Sequence, residues 1–420
     1  MHKELFDLVS GQPVTDCTIV WPALRYILEP LTGFAEYILS FTRYIVQLVS
    51  WIAWLMIVTA GWAIVRKKTL RDAGVNGMGV VLFFLTVVVV VLVFPLSWPR
   101  LVTPSGTAVV DFHSHTFYSH DGIKSPTQSI AFHRRLGYTE FFVTEHGHTN
   151  GFPQFSAAAQ YATVFPGMQV STKERVSLLI FADRQFDGAE FRDKTVSQVI
   201  DLAHRYGFVV VCPHWWKWRY FSWDELYKKG IDGFEIYNAG YRNFSAEERA
   251  RLVQFCRDNH LVMLGNTDWH GWGSMTDVWT VVPGVTPGVG APLMQFLREH
   301  RSSRVLVNLQ PEAQGTLRYF FEPFCGAYYY FSAITVPQAC GLMGWIIVIV
   351  IAGRFSWCAQ FRRLIPQIFG LGLLALVFYC LFIWLPLRPE NTILNRLLAP
   401  IIAVIGVLWL VYGKVQNKKN

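Results

Sequence analysis

The sequence of 420 residues is 52% hydrophobic and 15% aromatic, with a formal net charge of +8. That composition excludes a purely soluble protein, and the length allows two or three domains. Seven cysteines, mostly isolated in or near apolar runs, give no disulfide framework.

Met1–Leu31 scatters Lys3, Glu4, Asp7, Asp16, Arg25 and Glu29 through a stretch with no compact apolar core, so a cleavable signal peptide is not expected. Pro22–Glu36 reads as a short amphipathic segment lying on a membrane surface. Leu48–Val65 and Val80–Pro95 are nearly free of charge, as are Thr335–Ala352, Ile368–Pro386 and Leu397–Tyr412. Each approaches the roughly 20 residues that cross a bilayer core. Trp51, Trp54 and Trp62, and Tyr328, Tyr329 and Tyr330, suit interfacial aromatic belts. Arg66, Lys67, Lys68 and Arg71 separate the first two runs. Arg354, Arg362 and Arg363 separate the third and fourth, and Lys414, Lys418 and Lys419 follow the fifth. Placing these groups in the cytoplasm satisfies the positive-inside rule. The expectation is a multipass protein of the plasma (inner) membrane with a cytoplasmic C-terminus. Everything between the second and third spans is then extracytoplasmic. The same basic loops account for most of the net charge, so no nucleic-acid partner is expected.

Between the membrane regions, strand-like runs at 107–112, 141–144, 176–182, 208–212, 233–237, 261–265 and 304–308 alternate with helical stretches. Ser125-Pro126 opens one helix with Pro at its first position. Ser245-Ala-Glu-Glu248 reads as a capping box opening another. Such alternation predicts an α/β fold with a mostly parallel sheet or barrel. The organisation expected is a membrane region at 1–104, a catalytic domain at 105–325 and a second membrane region at 326–420.

Four His/Asp clusters sit at the ends of these runs: Asp111-Phe-His113-Ser-His115, Thr144-Glu-His146-Gly-His148, Cys212-Pro-His214 and Asp268-Trp-His270. On a strand, residues two apart share a face, so His113 and His115 are placed to share one cation. Strand ends are also where α/β enzymes carry their chemistry. His133, His204, His260 and His300 fall on helices or their ends and read as ordinary surface or packing residues.

Taken together, these motifs resemble the polymerase and histidinol phosphatase (PHP) family. The resemblance rests on His113-Ser-His115-Thr-Phe-Tyr-Ser-His-Asp121-Gly-Ile-Lys-Ser-Pro126, Thr144-Glu145-His146, Pro166-Gly-Met-Gln169, Asp232-Gly-Phe-Glu235-Ile-Tyr-Asn238 and Asp268-Trp-His270-Gly271. It covers roughly residues 105–310. It implies a distorted β/α barrel, flanked here by transmembrane helices, that holds two or three divalent metals for phosphoester hydrolysis. His113, His115, Asp121, His146, Asp268 and His270 fall on its metal-ligand positions. Where the family has His-Pro after the fifth strand, this chain offers Cys212 as a thiolate or His214 two residues on. Gln169 replaces the usual bridging glutamate, and Glu174 and Arg175 stand where a further histidine is expected. The resemblance therefore implies two metals here rather than three, with Mn, Zn or Fe suited to mixed imidazole and carboxylate ligands.

Trp215-Trp-Lys-Trp-Arg-Tyr-Phe-Ser-Trp223 follows His214 directly. It reads as a packing loop, as an amphipathic lip at the membrane surface, or as a stacking platform. Lys217, Arg219 and Arg242 are candidate phosphate clamps by proximity to the motifs. The function expected is a membrane-anchored phosphoesterase acting on a phosphorylated lipid, glycolipid or lipid-linked saccharide, with the lipid bilayer as partner. The alternatives are a phosphatase or phosphodiesterase for soluble nucleotides or sugar phosphates, and a non-catalytic metal- or ligand-binding sensor.

Overall fold

The computed structural model describes residues 5–29, 33, 44–93, 99–153, 163–217, 219–241, 244–271, 278–287, 290–308, 316–332, 334–352, 357–378 and 399–417. Two compact units emerge: Lys3–Trp21 with Trp98–Leu309, and Met1–His2 with Pro22–Ser97 and Gln310–Asn420.

The first unit is a mixed α/β fold around a sheet of eleven strands. The seven runs expected from sequence appear as β5 (Thr107–Asp111), β6 (Glu140–Val143), β8 (Ser177–Phe181), β9 (Val209–Cys212), β10 (Gly233–Asn238), β11 (Val262–Asn266) and β13 (Arg304–Asn308). Four more join them: β1 (Leu5–Asp7), β2 (Gln12–Pro13), β7 (Thr163–Ser171) and β12 (Val278–Pro283). A separate pair couples β3 (Thr18–Val20) to β4 (Arg100–Val102). Residues 5–21, placed by sequence in the membrane region, therefore belong to the sheet unit, because β1 pairs with β13 and carries β2 at the edge of the sheet. The sheet is less parallel than expected. β5–β6–β7 and β9–β10–β11 run parallel, but β8 is antiparallel to both its neighbours, as is β12.

Among the described residues no ladder joins β11 to β12. The two are linked instead through the Thr280 hydroxyl, which accepts from Gly265 N–H at 2.9 Å and donates to Gly265 C=O at 2.6 Å. Beyond the strand ends, Ser114 and Trp269 form an isolated parallel bridge, with Asp268 N–H on His113 C=O at 2.8 Å. One apolar cluster lines one side of the sheet (Val110, Phe112, Phe142, Phe181, Val211, Leu264), with Phe112 stacked on Phe142. Another packs Ile180, Val210, Phe234 and Ile236 against α4 (Val196–Arg205) and α6 (Ala246–Asp258).

Helix starts follow the local chemistry. Ser125 and Gln128 form a reciprocal box with Pro126 at the start of α3 (Pro126–Leu136). Ser245 accepts from Glu248 N–H at 3.1 Å, but the Glu248 carboxylate goes to Arg219 at 2.8 Å, outside the expected box. The tryptophan-rich segment leads through Trp215–Lys217 into the short α5 (Trp223–Lys228). Its described tryptophans pack inward: Trp216 stacks on Phe244 at 4.4 Å, and Trp215 lies against Trp223 at 5.1 Å. That supports the packing-loop reading, and Trp218 lies outside the described residues.

His204, at the end of α4, and His300, after α7 (Gly290–Arg298), both pair with Asp232, at 2.9 and 3.3 Å. The hydrogen bond to Asp232 raises each imidazole above its usual 6.5. A raised folded-state pKa stabilises fully below 6.5 and is lost as pH climbs through the raised values. Thermal melts should therefore show stability declining above neutrality, and Asp232→Asn should flatten that decline. An unaltered slope in the variant would refute the assignment.

The second unit is helical: α1 (Tyr44–Val65), α2 (Leu70–Val93), α8 (Thr316–Ser332), α9 (Val336–Ala352), α10 (Trp357–Phe378) and α11 (Ala399–Asn417). Thr69 and Asp72 cap α2 after a turn at Arg66–Lys68. Trp54 packs edge-on to Phe324 at 4.5 Å and donates to Phe320 C=O, joining α1 to α8. Gly370 permits close approach of α10 to α11, since a Cβ there would lie 2.9 Å from Gly406 O. Among the described residues, two stretches are long and apolar enough to cross a membrane, Leu48–Val65 and Arg71–Val91. Val336–Val348, Pro366–Ala375 and Ala399–Val415 are shorter apolar helical stretches. The helix of the second expected span starts at Leu70, ten residues earlier than the apolar run, and Arg362 and Arg363 fall within α10 rather than in a loop. Arg354, Lys418 and Lys419 lie outside the described residues. Residues 23–29 are helical, and residues 30–32 and 34–36 of the expected surface segment are likewise outside.

Candidate metal centre

All seven sequence-predicted metal residues converge beyond the ends of β5, β6, β9 and β11. His113 and His115 lie past the end of β5 rather than on it. The bridge at Ser114 keeps the chain extended there, and their rings sit 5.1 Å apart. Both aim Nε2 at one oxygen, Asp268 Oδ1, at 3.1 and 3.3 Å. Three groups of donors result among the described residues: His115, His146 and His270 form the first, His113, His214 and Asp268 the second, and His120, Asp121 and His146 a third that shares His146 with the first, each with ligand atoms within 4.8 Å of one another. Asp121 closes the first group, 3.3 Å from His146 Nε2 and 3.2 Å from His270 Nε2. Two members of the second, His214 (φ 28°) and Asp268 (φ 54°), hold left-handed backbone conformations that strain non-glycine residues, as side chains forced onto a site often do.

Tautomers follow from the partners. Ser119 Oγ donates its single proton to Glu145 Oε2 at 2.5 Å, so its contact with His115 Nδ1 at 3.1 Å requires the ring to donate. His115 Nε2 therefore presents a lone pair to the Asp268 carboxylate. It is buried with no hydrogen-bond partner. Burial, with His270 and His146 beside it, holds His115 well below its usual pKa, so the ring cannot relieve the clash by protonation. Burial alone would raise the Asp268 pKa, but His113, with His270, outweighs it and holds the carboxyl well below the usual range. Two buried lone pairs facing each other are stable only with a cation between them, and the donor set suits a divalent metal. His270 donates Nδ1–H to Asp268 C=O at 2.7 Å, which likewise frees its Nε2.

On the other side, Glu235 Oε1 accepts from His113 Nδ1 at 3.2 Å. The same carboxylate accepts from His214 N–H (2.7 Å), Asn238 Nδ2 (2.8 Å) and Asn266 Nδ2 (2.9 Å). Burial disfavours a charged His113, but Asp268 and Glu235 outweigh it and raise its pKa to about 9. The proton so retained occupies the Nε2 position that a metal would take. Burial pushes His214 down to about 4. Burial would raise Asp121, yet His146 and His270 keep it far below the carboxylate range. The Gln169 amide spans His113 Nε2 at 3.2 Å and His214 Nε2 at 3.3 Å, where a carboxylate would have bridged.

Of the two alternatives after the fifth strand, His214 and not Cys212 lies among the grouped donors; the Cys212 thiol is fully buried in the core against α4 and α6. Asp111 takes His133 at 3.0 Å and Thr267 N–H at 3.1 Å, fixing the Asp268 loop from behind. Lys217 reaches the site and feels Asp268 and Asp121. Arg219 does not: it is paired with Glu248 and stacked on Trp215. Arg242 lies outside the described residues. Ser119, Asn266 and Tyr241 were not singled out from sequence. Glu235 was quoted within a motif but given no role, although Phe234 and Ile236 flank it on a buried strand, which leaves a carboxylate facing the opposite side.

Residues 111–263 match the PHP domain family. This segment is a PHP domain. No curated protein sequence matches the chain. Solved structures similar to it include a two-domain protein from Bacteroides vulgatus containing a predicted PHP-like metal-dependent phosphoesterase. That likeness has 20% identity over 52% of this chain and 71% of that one, with a TM-score of 0.40. A lesion-specific endonuclease from Pyrococcus furiosus shares 15% identity over 50% of this chain and 60% of its own, with a TM-score of 0.38. An amidohydrolase from Chromobacterium violaceum, with sulfate bound and no metal, shares 13% over 48% and 98%, with a TM-score of 0.34. The PHP domain contributes His113, His115, Asp121, His146 and His214, and Asp268 and His270 follow just beyond the matched segment.

Proposed function

We propose that the protein is a membrane-anchored, two-metal phosphoesterase acting on a phosphorylated lipid, glycolipid or lipid-linked saccharide. The observation that carries the chemistry is the buried opposition of His115 Nε2 to the ionised Asp268, which requires a cation. His115, His146, His270 and Asp121 would hold one metal, and His113, His214 and Asp268 the other, with Asp268 between them. When bound, such a pair polarises phosphoryl oxygens and lowers the pKa of water toward neutrality. The chain's own residues do the rest. Glu235 and Ser119 fix imidazole tautomers, and Lys217 supplies a cation for a phosphoryl oxygen. Neutral Gln169 in a bridging position leaves the site more positive, which favours a dianionic monoester over a diester.

The same reading takes the sheet as a distorted barrel, supported by the Thr280–Gly265 link and the Ser114–Trp269 bridge. The two long apolar stretches support the anchor, and the basic turn at Arg66–Lys68 supports a cytoplasmic loop with the PHP domain outside. The test is a turnover assay of full-length protein in Mn²⁺ with matched lipid phosphomonoesters and diesters, soluble sugar phosphates and nucleotides. Monoester lipid cleavage is expected. Turnover confined to soluble esters would overturn the lipid assignment, and no ester cleavage would overturn the enzyme.

A further inference from the structure

The geometry points to His133 as a positioning residue for the metal centre, acting on Asp268 through Asp111 and Thr267. This inference rests on the two-metal reading above, and it gives a role to a histidine that reads from sequence as packing. His133 lies on α3, completely buried, with its ring stacked on Phe141 at 4.1 Å. Its Nδ1 is satisfied inside the helix, by Ser129 C=O at 2.8 Å. Its Nε2 leaves the helix and meets Asp111 Oδ2 at 3.0 Å. Buried polar atoms are paired almost everywhere, so the contact alone decides nothing. What decides is what the carboxylate holds in turn.

Asp111 is itself completely buried at the end of β5. Its Oδ1 accepts Thr267 N–H at 3.1 Å, and its Oδ2 accepts the Thr267 hydroxyl. Thr267 immediately precedes Asp268, whose own N–H goes to His113 C=O at 2.8 Å. Asp268 holds φ 54°, a left-handed conformation that a residue with a Cβ keeps only where its surroundings over-determine it. The chain from His133 through Asp111 to Thr267 does so on one side of Asp268. The same helix does so on the other, where Phe132 stacks on Trp269 with ring centroids 3.4 Å apart. Thus α3 grips the residues before and after the carboxylate whose Oδ1 faces both His113 and His115. Without the His133 donor, Asp111 is left to turn toward its remaining partners, because a buried carboxylate oxygen that loses a hydrogen bond is costly. Any such turn moves Thr267, and the Asp268 oxygen moves with it.

The experiment titrates Mn²⁺ into metal-free full-length protein, reading affinity and equivalents bound, beside melts of the metal-free samples. His133→Phe keeps the stack on Phe141 but removes the donor. It should weaken Mn²⁺ binding by about tenfold or more at both equivalents, because Asp268 stands between them. His133→Gln, whose amide reaches about as far as Nε2, should recover most of that loss. In an Asp111→Ala background, His133→Phe should cost less than about twofold more, since the link is already cut. A residue that only packs would lower the metal-free melting temperature and leave the Mn²⁺ affinity of the folded protein unchanged. Native affinity in His133→Phe, or a loss that adds in full to that of Asp111→Ala, would overturn the positioning role while leaving the metal centre intact. Should His133→Phe not fold, His133→Asn carries the same expectation, because its amide stops short of Asp111. If the native protein binds no Mn²⁺, the two-metal reading and this inference fall together.

Discussion

Asp268→Ala should reduce turnover by roughly a thousandfold and strip metal from both halves of the centre. The reason is position. Asp268 Oδ1 stands 3.1 Å from His113 Nε2 and 3.3 Å from His115 Nε2, so one oxygen serves both donor groups. Losing several kcal/mol of transition-state charge stabilisation corresponds to that factor, at about 1.36 kcal/mol per tenfold. Asp268→Asn separates charge from shape. It keeps the volume and an oxygen beside Asn238, but removes the charge that opposes the His115 lone pair. Both variants should therefore lose metal, measured by elemental analysis of purified protein alongside turnover. Full metal content in either would refute the shared position of Asp268.

The site was more legible in the sequence than the fold that carries it. Candidate ligands sit in local strings, and the strings sit at the ends of apolar runs, and the structure brings His113, His115, His146, His214, Asp268 and His270 together. Strands without such a run escaped. β7 contains Pro166-Gly167, which reads as a turn, yet both residues lie within its ladders. β1 is three residues long and is held by pairing with β13, some 300 residues away, which no local pattern encodes. Supporting roles escaped for a related reason. Glu235 and Asn238 stand in a quoted motif, but Glu235 meets His113 across 122 residues of sequence, and its partner Asn266 carries no charge to announce it. Arg219 misled because proximity to His214 in sequence did not bring it to the site. Glu248 takes its guanidinium instead.

Glu235→Gln should weaken metal binding at the His113 group by about 10- to 100-fold while sparing the His115 group. The native carboxylate is completely buried and acts only as an acceptor, for His113 Nδ1, His214 N–H, Asn238 Nδ2 and Asn266 Nδ2. A glutamine amide puts two donors where one oxygen received protons, so at least one of those N–H groups meets another N–H. The His113 ring is the partner able to respond, by giving up its Nδ1 proton and keeping the one on Nε2. That leaves a proton facing Asp268 and Gln169 at the position a metal would take. Where the ring does not respond, a buried donor is left unsatisfied, at a cost of about 1–3 kcal/mol. Two readings of one sample separate these effects. Metal titration should show one of two equivalents weakened, and melts without metal should show lower stability than native. The contrast with Asp268→Ala is the sharper check, because that substitution removes both equivalents. Loss of both in Glu235→Gln, or of neither, would mean that Glu235 does not set the tautomer of His113.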